Sequence, residues 1–328
     1  MKKTFFEYYK WTESEISNFW KTSLFTFDTN ILLDSFKLPQ ELSDLLFSVL
    51  SKIQDRIVLT YQVAFEYHKN INSVLKKELE KHDESLRMLD KLNKCLSSQH
   101  GHPYIKNYKK SLKTIENKLK SSKEKFSSEI KEHPNKSKIC NIFEKKLLPK
   151  FSVEKLNKIY KEGEIRYKDK IPPGYNDKDK KPENDKYGDL IIWKEIIEYS
   201  SKEKKDIIFI TNDKKDDWFK DGSPRIELIR EFYEKTSGKN IYIIDLKTFL
   251  FESNKFLDSN VGNSKLETLS FAMTSIEEEA EQSSEISDID NSSSATSTSE
   301  SLTNTELLET CIEVKKDPIN LDGTSTST

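Results

Sequence analysis

Four carboxylates occupy positions from which an α/β sheet could do chemistry. Asp28 follows the apolar run Leu24 to Phe27, and Asp213 follows the run Asp206 to Ile210 with Thr211 and Asn212 between. Asp189 opens the apolar segment Leu190-Ile191-Ile192-Trp193, and Glu66 lies about two turns into a segment that begins near Tyr61. In open α/β sheets, ligands bind where strands end and helices begin. Acids gathered there repel one another and are pushed toward protonation unless a cation neutralises them. Hard divalent cations such as Mg²⁺ take oxygen ligands, so the expected chemistry is metal-assisted hydrolysis of a phosphodiester. Taken singly, each acid has a plainer reading. Asp28 and Asp213 could be helix N-caps, Asp189 could complement a helix dipole, and Glu66 could lie on a solvated face.

The elements that must position these acids follow from hydrophobic periodicity. Strands are expected at 24–27, 56–59, 206–210 and 241–244, with helices at 31–36, 40–53, 187–201, 225–235 and from 245 to about 256. Shorter helical pieces are expected near 138–148 and 153–161, followed by a polar loop from Gly163 to Lys186. Strands alternating with helices predict a Rossmann-like parallel sheet sandwiched by helices. Residues 75, 79, 82, 86, 89 and 96 follow a heptad whose one polar member is His82. After Gly101 and Pro103 the pattern resumes at 105, 108, 112, 115, 119, 126 and 130. Two such seams predict an antiparallel helical hairpin, coiled-coil-like, inserted at about 71–135.

Composition adds an asymmetry. Residues 251–328 hold 16 acidic and 4 basic side chains, which leaves 50 basic and 40 acidic in residues 1–250. The overall charge of −2 thus combines a body near +10 with a tail near −12. A basic body suits an anionic partner such as nucleic acid. Ser/Thr-rich, acidic residues 262–328 bury too little apolar surface to order themselves and are expected to be disordered beyond a domain spanning 1–261. An acidic tail could shield the body when no substrate is bound. Cys95, Cys140 and Cys311 form neither a disulfide framework nor a metal motif. His100-Gly101-His102, the one close histidine pair, reads as incidental to a turn. No secretory leader or membrane-length apolar run is present, so a soluble cytoplasmic protein is expected.

Together, Phe27-Asp28-Thr29-Asn30, Tyr61-Gln62-Val63-Ala64-Phe65-Glu66, Tyr187-Gly188-Asp189-Leu190 and Phe209-Ile210-Thr211-Asn212-Asp213 resemble the PIN-domain nuclease superfamily. Pro-Pro-Gly-Tyr at 172–175 and Asp213 to Trp218 are similar to a bacterial PIN-like subgroup with a long helical insertion. The resemblance implies a metal-dependent endonuclease acting on RNA more than DNA. It implies that Asp28, Glu66, Asp189 and Asp213 are catalytic and hold Mg²⁺ or Mn²⁺, with Asp217 as a further ligand. Asn30 and Thr211 would orient those carboxylates, and Asp177 could contribute from its loop. Deployment as a bacterial toxin or defence nuclease also follows from the subgroup.

Lys178, Lys180, Lys181, Lys214 and Lys215 flank the expected pocket and could hold phosphates, although a solvated loop accounts for them equally. Tyr175, Trp193 and Trp218 are candidate stacking groups, with Trp193 better suited to a core. A competing reading is a nucleic-acid or protein-binding adaptor whose hairpin docks a partner or self-associates, with little or no catalysis. A phosphatase on similar sheet logic is disfavoured, because Asn30 stands where a second aspartate would serve.

Overall fold

A computed structural model describes residues 1–98 and 104–257, together with Thr274. Both His100-Gly101-His102 and residues 262–328, Thr274 apart, lie outside that range. The central sheet has three parallel strands in the order β1–β2–β5, with β1 at Leu24–Phe27, β2 at Ile207–Ile210 and β5 at Ile241–Ile244. A two-stranded antiparallel ribbon, β3 (Phe219–Lys220) and β4 (Ser223–Pro224), follows the acidic segment. Strand β2, Ile-Ile-Phe-Ile, is buried at every position, as a central parallel strand covered on both faces requires. Its register sets Phe27 opposite Ile210 and Ile210 opposite Ile244, so all three strands end level. This is an α/β fold, a parallel sheet flanked by helices, with a long helical insertion.

Helices α1 (Glu13–Thr22), α2 (Thr29–Asp34), α3 (Gln40–Lys52), α4 (Tyr61–Ser97) and α5 (Ile105–Glu129) precede the second strand, as do α6 (Pro134–Phe143), α7 (Val153–Lys168) and α8 (Gly188–Glu203). Helix α9 (Ile226–Lys235) lies between β4 and β5, and α10 (Leu246–Phe256) follows β5. The largest wholly buried side chains are aromatic. Trp20 stacks on Phe249 at 5.5 Å, and Trp218 packs beside Phe209 at 5.3 Å. Helix α1 has a full capping box, Thr12 with Glu15, a pattern visible in the sequence but not expected there.

Two expectations need correction. Residues 56–59 do not form a sheet strand but make isolated bridges, Phe25 to Ile57 and Leu59 to Leu147. A 3₁₀ turn at Gln54–Arg56 and the start of α4 at Tyr61 leave too few extended residues between them. Leu59 also spends its backbone bonds on Lys146 and Leu148. The expected loop from Gly163 is helical as far as Lys168, because α7 continues through the glycine. A Cβ at Gly163 would lie 2.5 Å from the Tyr187 ring, so the glycine serves close packing rather than a turn.

The insertion is a helical hairpin of α4 against α5. Leu75 is buried, and Leu79, His82, Leu86, Leu89 and Leu96 are half-buried, as the heptad predicts. On α5, Tyr108 and Ile115 are exposed, so the seam is incomplete on that helix. His82 stacks on Phe126 at 5.7 Å, and Lys123 pairs with Asp83 across the seam.

A buried ion pair ties the fold to the site. Arg166 of α7 makes two hydrogen bonds to Glu231 of α9, each 2.8 Å, and also donates to the Pro172 carbonyl. The Trp193 indole donates to the same carboxylate at 2.9 Å. Burial alone would raise the Glu231 acid, but Arg166 and Lys194 pull it down to about 2. Stability from this depressed acid is present above about pH 4.5 and is lost as the pH falls toward 2. Glu231→Gln should therefore unfold about 2 kcal/mol more easily at pH 7, because Arg166 keeps Glu162, 3.1 Å away, but loses its two charged hydrogen bonds to Glu231. Denaturant titrations should show that gap narrowing in acid, and a gap of constant size would contradict the assignment.

Candidate active site

The level ends of β1 and β2 deliver the acids to one edge. Asp28 leaves β1 and caps α2, its Oδ1 accepting from the Thr29 N–H at 2.7 Å. Its Oδ2 accepts from the Thr211 hydroxyl, also at 2.7 Å. The Thr211 hydroxyl oxygen in turn accepts from the Asp213 N–H at 3.0 Å, so one side chain positions acids from two strands. The Thr29 hydroxyl donates to Glu66 Oε2 at 2.8 Å, and Gln62, one turn earlier on α4, donates to Glu66 Oε1 at 2.8 Å. The Trp218 indole donates to Asp189 Oδ2 at 3.3 Å.

Helix α8 approaches α4 at a glycine. A Cβ at Gly188 would fall 2.4 Å from Glu66 Oε1, so the bare glycine lets the first turn of α8 lie against that carboxylate. At Gly174, φ is +87° and a Cβ would fall 2.4 Å from the Tyr167 hydroxyl, so glycine suits both the turn and the contact. That turn brings in Asp177, which is 2 % exposed. Its Oδ1 lies 3.2 Å from the Lys215 ammonium and its Oδ2 lies 2.6 Å from that of Lys181. Lys215 also reaches Asp213 Oδ2 at 3.0 Å. Asp217 is fully buried, with Oδ2 accepting from the Asn176 N–H at 3.0 Å and Oδ1 without a hydrogen-bond partner.

Each acid's affinity for its proton follows from these surroundings. Burial pushes Asp28 up to about 7, against the Thr211 hydrogen bond and with help from the charges of Asp213 and Glu66. Desolvation holds Asp189 well above the usual carboxylate range, opposed by Lys215 and reinforced by Asp177 and Asp213. Asp217 is raised mainly by burial. Asp177 runs the other way, because Lys215 and Lys181 outweigh its burial. The same acids hold the Lys215 ammonium protonated far above its ordinary range despite desolvation.

Several expected site residues are placed differently. Asn30 is exposed, and Thr29 is the residue that orients a carboxylate. Helix α2 begins at Thr29, and the roughly 100° step to the next residue turns Asn30 outward. Trp218 is 2 % exposed, beneath the site rather than offered to a base. Tyr175 packs against the small cluster of Ile159, Tyr167, Tyr187, Leu190 and Ile191, and its hydroxyl donates to the Asp216 carbonyl at 3.3 Å. It is committed to the protein instead of forming a free stacking platform. Lys178, Lys180 and Lys214 are exposed beside the acids. Glu195, which sequence reasoning did not single out, is 2 % exposed and accepts from the Gln62 N–H at 3.1 Å. Burial raises it to about 8, and it anchors the first turn of the helix that carries Glu66.

The donors are all carboxylate oxygens, the chemistry a hard divalent cation takes. Two features fit such an ion: the buried, unpartnered Oδ1 of Asp217, and an ammonium already held by Asp213 and Asp177. Among the described residues, no three acids converge closely enough to enclose an ion. The carboxylates on offer to one at this edge are Asp28, Asp213, Glu66 and Asp189, with Asp217 beside them, and they would have to draw together to hold it.

Asp28 gives a testable consequence. With a folded pKa of about 7 against an ordinary 3.8, its contribution to stability is present in full below about pH 4 and is lost as the pH rises to 7. Without added metal, the melting temperature of the protein should fall relative to that of Asp28→Asn across this window. Parallel melting curves would count against the raised acid.

No curated protein and no solved structure matches the chain in comparison searches. A family model described as a PIN like domain matches residues 24–231. That match spans β1, the hairpin, α8, β2 and every acid described above. The chain belongs to the PIN-like domain family, and with it to a nuclease superfamily.

Proposed function

We propose that this chain is a metal-dependent endonuclease that cuts RNA in preference to DNA, using Mg²⁺ or Mn²⁺ held by Asp28, Glu66, Asp189 and Asp213. The observation that carries the reading is the set of buried acids at one sheet edge, two of them fixed by a single threonine hydroxyl. A structural role would neutralise such acids locally. Instead, Asp28 is bonded only to uncharged donors and sits next to other acids. The chemistry a bound cation supplies there is charge neutralisation at the phosphate and easier deprotonation of water.

The chain's own residues do the rest. Thr211 and Thr29 hold Asp28 and Glu66 in fixed orientations, and the Trp218 indole holds Asp189. Prealigned carboxylates need no reorganisation when charge develops on the phosphate. Lys178, Lys180 and Lys214 supply exposed positive charge for flanking phosphates. A cytoplasmic setting and a toxin or defence role belong to the same reading. No described helix is long and apolar enough to cross a membrane.

Labelled single-stranded RNA and DNA, incubated with Mg²⁺, Mn²⁺ or EDTA, test the reading directly. Cleavage should require metal, and Asp28→Asn and Asp213→Asn should each lower it by at least about 100-fold while the protein stays folded. Cutting that survives EDTA, or survives both substitutions, would refute the mechanism.

One observation favours a second reading, a docking role for the hairpin. Met88, Leu92, Tyr108 and Ile115 are exposed apolar residues on its two helices. Replacing the distal half of the hairpin with a short linker should leave metal-dependent cleavage intact if the hairpin only recruits a partner or a second copy. Loss of cleavage in that folded variant would instead place the hairpin on the substrate path.

A further inference from the structure

We propose that Lys215 is an exchangeable counter-cation: its ammonium occupies the acidic site while no divalent ion is bound, and it leaves Asp213 when one binds. The inference rests on the metal-dependent reading above and adds a named residue to it.

The geometry points to exchange rather than a permanent ion pair. Asp213 is already anchored through its other oxygen, since Oδ1 accepts from the Lys215 N–H at 2.9 Å. Its Oδ2 is left to the ammonium, 3.0 Å away. This carboxylate can therefore change cation without losing its orientation. The second partner, Asp177, is not stranded when Lys215 departs, because Lys181 lies 2.6 Å from its other oxygen. Lys215 itself has somewhere to go. Its side chain is 42 % exposed, so the ammonium can swing from the buried acids into solvent.

The arrangement is also selective about which acids the lysine covers. Asp28 has both oxygens bonded to uncharged donors, the Thr29 N–H and the Thr211 hydroxyl, with no ion pair to either lysine. Asp189 accepts only the Trp218 indole among hydrogen bonds, although it senses the charge of Lys215. Lys181 pairs with Asp177, so at Asp213 Lys215 supplies one positive charge where a divalent ion would bring two. Once displaced, the ammonium stays tethered two residues from Asp213, where it can meet an arriving phosphodiester.

The test compares wild-type protein, Lys215→Met, and Lys220→Met as a control that removes an equal charge from an exposed site. Mn²⁺ is titrated calorimetrically into each full-length protein, and crystals of the wild type are soaked in Mn²⁺. Lys215→Met should bind Mn²⁺ about 10-fold more tightly than wild type, because it no longer has to expel an ammonium, whereas the control should match wild type. In the soaked crystals the Lys215 ammonium should lie beyond ion-pair distance, about 4 Å, from Asp213. If Mn²⁺ binds but the ammonium stays on Asp213, or if Lys215→Met binds no more tightly, the exchange is wrong and the metal-dependent reading stands. If Mn²⁺ does not bind the folded wild type at all, both fall together. Should Lys215→Met fail to fold, the position of the ammonium in the soaked wild-type crystals decides alone.

Discussion

Repulsion among carboxylates at the end of a buried parallel sheet is the constraint around which the rest of this molecule is arranged. Strands β1 and β2 must be hydrophobic on both faces to sit between helices, so the groups that follow them emerge into poorly solvated surroundings. Burial first, and the neighbouring acids second, raise the energy of the ionised forms of Asp28 and Asp189 there. The fold offsets this with many small contributions rather than one large one. Hydroxyls, backbone N–H groups, an indole and two ammonium groups each take one oxygen. The residual imbalance shows in Asp28, which remains near neutrality in its proton affinity, at about 7.

Supporting structure is organised to protect that arrangement. Arg166 grips Glu231 and the Pro172 carbonyl, which fixes the start of the loop that delivers Asp177. Gly174 allows that loop to turn beside Asp189, and Gly188 allows α8 to touch the Glu66 carboxylate. Glu195 anchors the first turn of α4, from which Gln62 and Glu66 project. Residues far apart in the chain thus meet through one or two hydrogen bonds each. Much of the polar interior is committed to the site rather than to the core.

How far this could be read from the chain alone depends on whether the signal is local. Asp28 and Asp213 were legible because an apolar, β-branched run followed by an acid marks a strand exit without further information. The hairpin was legible for the same reason, since a heptad is a local pattern. Residues 56–59 were misread as a strand because their composition fits one, while the bonds that would complete it go to Lys146 and Leu148 instead. Asn30 was expected from the family resemblance alone, and with α2 starting at Thr29 a step of one residue turns it outward by about a quarter of a circle. Glu195 carries no sequence pattern, and the motif positions of Trp218, Gly174 and Gly188 do not reveal what each one touches. Their roles exist only once α4, α8 and the 213–218 segment have been brought together.

The hairpin has a geometric corollary. Glu66 stands near the start of α4, and the helix continues for 31 residues beyond it to Ser97, a rise of about 45 Å. The part of α4 that touches the core ends near Leu75, after which the two helices chiefly pack against each other. An insertion or deletion of a whole heptad in that outer stretch shifts the tip by about 10 Å and leaves the seam in register. The distance from the tip to the acids is therefore a quantity the sequence can change in discrete steps, independently of the chemistry at the sheet edge.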